Sequence, residues 1–371
     1  MHRLLSPSLV SLSIKLDPTD DRVCSFLQNY PLLCLGLKSV KLDFQEFSYP
    51  PTRRPSRLDV HQLSQAIYMH EHLESFTLPT PIDDMALRHL MLSPWLKFVT
   101  LMLYPKELKP DNISITSTDT PFRSVKELEL HMWDLHFVSS LLRPNDQAFH
   151  MLTLHPHGVD EAKTILAFLT SLASPQRVDS LQSIRLMSSR SFLHPFERNS
   201  ISYNNAIHRL TYDSLRPLTC FKYLRKLMLL TFNQIFLDDE ELAGLACSWP
   251  LLEVLRLSCN HGCYGRPITL GGLLSLLTLC ARLCDLSLSV DARQVPKETS
   301  VDVCNTMVTF IQLPDSPIRD AGLVADFFRR HLPSMTSIGT HFTTALAVNY
   351  RPPVEYDYLW GMITKYLRAA T

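Results

Sequence analysis

Glycine is scarce in this sequence, 10 residues in 371. Phosphate-cradling loops need glycines so that the backbone can approach the anion, and neither GxGxxG nor GxxxxGK[ST] occurs. An excess of charge is also missing: Lys plus Arg and Asp plus Glu are 36 each, a net charge of zero. A nucleic-acid binder ordinarily carries a basic surplus that neutralises phosphates, so no nucleic-acid partner is expected. Long hydrophobic runs are absent too. The longest, LGGLLSLLTLCA from Leu270 to Ala281, ends at Arg282, short of the about 20 residues that span a bilayer. It reads as a buried helix, and no membrane partner is expected. The opening MHRLLSPSLVSLSIKL lacks the long apolar core and small-residue cleavage site of a signal peptide. There is no GxSxG elbow, and Ser171, Ser188, Ser189 and Ser191 stand at helix ends or in loops without a matching base. The expectation is that the chain is not an enzyme.

The nine cysteines are odd in number and lie mostly in apolar segments. That suits reduced, buried thiols in a cytoplasmic or nuclear protein better than disulfides. Cys259-x-His261-x-Cys263 with Cys280 and Cys284 offers metal-ligand types, but the spacing is that of no finger or ribbon. The pairs His155-x-His157 and His131 with His136 invite the same reading, but no carboxylate or cysteine near them in sequence completes a ligand set. Neither a metal site nor a cofactor is expected. Arg53, Arg54 and Arg57 form a short basic cluster interrupted by prolines, read as a solvated loop.

What the sequence does contain is a recurring phrase: apolar, two residues, apolar, one residue, apolar. It occurs as Leu9-Leu12-Ile14, Leu37-Val40-Leu42, Leu73-Phe76-Leu78, Leu96-Val99-Leu101 and Val125-Leu128-Leu130. It continues as Leu181-Ile184-Leu186, Leu224-Leu227-Leu229, Leu252-Leu255-Leu257 and Leu283-Leu286-Leu288. Weaker copies are Phe149-Leu152-Leu154 and Leu332-Met335-Ile338, with a degenerate one at Val308-Phe310. The phrases start roughly 23 to 43 residues apart, about 30 on average, somewhat above the usual span of leucine-rich repeats. The last two apolar positions differ by two, so both face one side of a short strand.

Between the phrases run helix patterns with apolar residues three and four apart: 59–73, 83–92, 159–172, 239–247, 270–283 and 320–332. Asp238 with Glu241 has capping-box spacing, and Asp83 and Asp320 can accept from free N–H groups at helix starts. Strand, helix, strand at this period predicts an α/β leucine-rich-repeat solenoid of about eleven or twelve irregular repeats, with a parallel sheet inside the curve and helices outside. The domain reading is a solenoid over 1–340 and a capping segment over 341–371, with an amphipathic helix at 355–368. Residues 46–58, 104–122 and 187–205 read as projecting loops. Leu252-Leu255-Leu257-Asn260 follows the full repeat pattern, whereas Asp17, Gln45, Tyr104, Phe232 and Asp291 hold the asparagine position elsewhere.

The phrases LLSPSLVSLSIKL, DDEELAGLACSWPLLEVLRLSC, TLGGLLSLLTLCARLCDLSLSVDA and RRHLPSMTSIGT resemble the repeat region of fungal F-box proteins with degenerate leucine-rich repeats. The resemblance implies a module that selects a protein target for a cullin-type ubiquitin ligase. It covers the repeats alone: the first begins at Leu9, with no F-box before it. The expectation is therefore a protein-binding module with a partner of unknown identity, in the cytoplasm or nucleus. Stand-alone scaffolding unrelated to ubiquitin is the alternative, and an enzyme on a repeat scaffold the remote one. Residues between the core leucines point the other way and form the binding face. Lys41, Phe98, Met102, Glu127, Glu129, Arg185, Met228 and Arg256 are the candidates, with Phe98, Met102 and Met228 expected to expose apolar surface.

Overall fold

The computed structural model describes residues 5–16, 22–44, 60–103, 121–133, 135–142, 148–157, 160–188, 206–231, 233–257, 267–296, 304–340 and 354–368. Each phrase lies on or beside a strand. In chain order these are β1 (Ser11–Leu16), β2 (Ser39–Phe44), β3 (Ser75–Pro81), β4 (Phe98–Leu103), β5 (Glu127–Met132), β6 (Met151–Pro156) and β7 (Ser183–Met187). They continue as β8 (Arg209–Leu210), β9 (Lys226–Leu230), β10 (Gln234–Ile235), β11 (Val254–Leu257), β12 (Asp285–Ser287), β13 (Phe310–Gln312) and β14 (Ser337–Gly339). Twelve of them form one parallel sheet in sequence order, while β8 and β10 pair separately as a small parallel sheet.

One apolar position of each strand, the middle residue of the phrase in all but the last two, sets the register. Leu12, Val40, Phe76, Val99, Leu128, Leu152, Ile184, Leu227, Leu255, Leu286, Ile311 and Ile338 are partners from strand to strand across all twelve. All but Ile338 are buried. A one-residue slip would turn a whole apolar set to the opposite face, so the pattern fixes the pairing. The core that these residues share with the helices is one continuous cluster from Leu12 to Leu367.

Two phrases need re-phasing, and in the last of them Ile338 takes the register position that Leu332-Met335-Ile338 gives to Met335. Phe310 is 40% exposed, and Val308, Ile311 and Leu313 are the buried positions. The eleventh phrase is thus Val308-x-x-Ile311-x-Leu313, a full copy rather than the degenerate Val308-Phe310. Its leading valine and polar interior (Thr309, Gln312) obscured it.

Helices follow most strands. Asp84–Leu92, Ala162–Leu172, Asp239–Ala246, Leu270–Leu279 and Ala321–His331 lie within the expected segments, and Val60–Tyr68 is shorter than expected. Asp83 accepts from the backbone N–H of Ala86, Asp320 from that of Leu323, and Asp238 with Glu241 forms the reciprocal capping box. Two further helices, Arg22–Leu33 and Leu135–Leu141, occupy segments for which the sequence reading gave none. Helix Val354–Arg368 packs on Ala321–His331, burying Trp360, Ile363 and Leu367, and the Trp360 indole donates to the Ser316 carbonyl at 2.9 Å. No helix among the described residues is long and apolar enough to cross a membrane. The expected loops at 46–58 and most of 104–122 and 187–205, with the arginine cluster at 53–57, lie outside the described residues.

Candidate binding face

The strand residues between the core positions line the other face of the sheet. Their register makes rows that run across the strands at about 4.8 Å spacing. One row reads Lys41, Thr77, Thr100, Glu129, Thr153, Arg185, Met228, Arg256. Five of the eight candidate residues stand in it. Phe98 and Glu127 are partners in the adjacent row, and Met102 stands in the row on the other side, level with His131.

Exposure separates these candidates. Lys41 is open, Phe98 is 44% exposed, and Glu127, Glu129, Arg185, Met228 and Arg256 are half-buried. Met102 is 7% exposed, so it contributes no open apolar surface, contrary to the expectation. Strand parity sets which face a side chain takes, but not how tightly its neighbours on that face cover it. Arg256 is engaged: its guanidinium holds Asp285 of β12 through two bonds, 3.0 Å from Nε to Oδ1 and 2.5 Å from Nη2 to Oδ2. A fork-to-carboxylate pair of this kind fixes both groups in direction.

Among the described residues, a cluster of polar groups gathers on the face at β5 and β6. His131 and His155 are register partners, and their rings stack with centroids 4.2 Å apart and planes at 5°. Glu129 lies two residues before His131, on the same side of β5. Its Oε1 is 3.6 Å from His131 Nε2 and 2.9 Å from His155 Nε2. The two imidazoles, His131 first, hold the Glu129 carboxyl well below the usual carboxylate range. At 2.9 Å, His155 makes a true hydrogen bond, whereas 3.6 Å to His131 is too long for one. Thr100 of β4 donates to Oε2 at 3.3 Å. The ring of His157 follows 6.2 Å from that of His131, and burial pushes its pKa down to about 3, with the two imidazoles assisting. Candidate ligand atoms of Glu129, His131 and His155 all lie within 4.8 Å of one another, which corrects the expectation that no carboxylate accompanies these histidines. The separation in sequence hid it: Glu129 and His155 meet only through strand pairing. His136 lies on the helix Leu135–Leu141, outside this cluster.

Of the cysteine cluster, Cys280 and Cys284 are described. The Cys280 thiol is buried and donates toward the carbonyls of Trp249 and Ala246, and burial pushes its pKa up to about 12. Cys284 donates to the Glu253 carbonyl at 3.3 Å. Burial also raises the pKa of the Cys284 thiol, with the Asp285 and Glu253 carboxylates adding to the rise. Cys259, His261 and Cys263 lie outside the described residues, as does Asn260. Asn233, buried and one residue past the expected repeat position, donates to the carbonyls of Asp160 at 2.9 Å and His208 at 3.2 Å. It ties backbone segments of earlier repeats together, and the fixed spacing assigned that position to Phe232.

No family model and no curated protein matches the chain. Among solved structures, a chain from the crystal structure of the Rad7 and Elc1 complex in yeast is similar, at 14% identity over 94% of this chain and 80% of that one. The TM-score is 0.43, too low to decide fold or function.

Proposed function

We propose that the chain is an irregular leucine-rich-repeat solenoid that binds another protein through the open face of its parallel sheet. The carrying observation is that face. Parallel sheets are ordinarily covered by helices on both sides. Here the row from Lys41 to Arg256 stays accessible or half-accessible over much of its length, and its lysine, glutamate, arginines and methionine offer charge and apolar contact side by side. A repeat array makes such an extended surface because each unit adds one strand beside the last. The reading is of a recognition module and not of an enzyme. The resemblance of its phrases to F-box repeat regions supports a more specific form: selection of a target for a cullin-type ubiquitin ligase.

The test is affinity capture with the full chain beside a charge-reversed variant, Glu127→Lys with Arg185→Glu, both checked for native circular dichroism. A specific partner held by the parent and lost by the variant supports binding through this face. A partner retained equally by both sinks that reading. Co-recovery of a cullin adaptor supports the ligase form, and a specific partner without ligase components favours stand-alone scaffolding.

A further inference from the structure

We propose that Glu129, His131 and His155 form a binding site for a divalent transition-metal ion, zinc first, on the open face of the sheet. The inference is independent of the protein-binding reading and rests on side chains of β4, β5 and β6 alone.

Two features of the backbone build the site. Glu129 and His131 are two residues apart on one strand, so both project from the same face. His155 stands on the neighbouring strand in direct register with His131. The candidate ligand atoms consequently all lie within 4.8 Å of one another. Two ligands on a tetrahedral zinc ion, each at 2.0–2.1 Å, are about 3.3 Å apart. The observed separations from Glu129 Oε1, 2.9 Å and 3.6 Å, straddle that value.

The donor set points to the same class of ion. Two imidazoles and one carboxylate suit zinc and its d-block neighbours, whereas calcium and magnesium prefer all-oxygen sets. Thr100 holds Glu129 Oε2, which leaves Oε1 directed at the histidines. A group that fixes a ligand carboxylate from behind is the usual second tier of a metal site. All three side chains are half-buried, so three protein ligands face an accessible fourth position for water. The stacked rings present their Nε2 atoms side by side. Coordination turns them until both lone pairs converge on the ion, and part of the stacking contact is given up.

The full-length chain, stripped with a chelator, would be titrated with zinc by calorimetry, and cobalt(II) would be added separately to read its visible d–d absorption. The expected result is one equivalent of zinc and a cobalt spectrum of low-coordinate nitrogen and oxygen ligation. Glu129→Gln keeps the shape of the side chain and removes the charged ligand, and should weaken binding at least about 10- to 100-fold, since even supporting groups are worth that much. His131→Gln with His155→Gln should abolish the equivalent, while His136→Gln leaves it intact. If the double variant does not fold, Glu129→Gln decides alone. No zinc bound by the parent, or the same affinity in parent and Glu129→Gln, overturns the proposal.

Discussion

Arg177 is fully buried, and its guanidinium donates to the carbonyls of Leu142 at 2.7 Å and Ser171 at 3.0 Å while lying 5.9 Å from the centre of the Phe149 ring. Those carbonyls stand at or near helix ends, where intrahelical partners run out. Arg177→Met would fill much of the same space and strand both acceptors. The expected loss is about 3 kcal/mol, read as a lower urea midpoint. His70 supplies a second residue-scale test. Its ring is buried against Tyr30, and burial, with His89 nearby, pushes its pKa from 6.5 down to about 4. The folded state therefore keeps it neutral while the unfolded chain takes up a proton. The stabilising contribution is complete above pH 6.5 and is lost as pH falls toward 4, by at most about 3 kcal/mol. Urea midpoints measured across that window should fall with pH in the parent and fall less in His70→Phe, which retains an aromatic contact with Tyr30.

Helix starts carry the element-scale chemistry. Asp83, Asp238 and Asp320 were legible as caps because an N-cap is a local affair, settled by one side chain and the N–H three residues on. Asp238→Ala should cost about 1 kcal/mol, measurable by chemical denaturation. Other ties at helix starts are not local. Asp239 accepts from the Thr269 backbone at 2.7 Å and from the Thr269 hydroxyl at 2.6 Å, joining two consecutive repeats. Gly272 stands beside it, and a Cβ there would lie 2.1 Å from Asp239 Oδ1. Gly272→Ala should therefore destabilise by about 1–3 kcal/mol, although alanine is the better helix former by about 1 kcal/mol. A higher melting temperature for this variant would refute the latch. The overlooked helix Arg22–Leu33 buries Val23, Phe26, Leu27 and Tyr30, a three-and-four spacing that was present but obscured by Pro31. Helix Leu135–Leu141 spans seven residues, too few for periodicity to stand out.

At the scale of the whole molecule, each repeat touches chiefly its neighbours, so an array is weakest at an uncovered end. Helix Val354–Arg368 covers the last repeat through Trp360, Ile363 and Leu367. Trp360→Ala should cost about 3–5 kcal/mol. Hydrogen exchange should show the lost protection greatest over 321–339 and fading toward the earlier strands. Uniform loss along the chain would mean that the array unfolds as one unit, without end fraying.

Ten of the twelve strand registers and the caps follow from the sequence alone, because each depends on residues within a few positions of one another and on a phrase that repeats; the last two, at Ile311 and Ile338, needed the structure. The pairing of His131 with His155 was within reach by the same logic, since each stands three residues after the middle residue of its phrase. The tertiary structure decided what depends on distance across the sheet and on crowding: the burial of Met102, the meeting of Glu129 with His155, the commitment of Arg256 to Asp285 and the bonding of Asn233 to earlier repeats. A periodic pattern states which way a side chain points, whereas the company it keeps there is set by strands about 30 residues away and by how closely they pack.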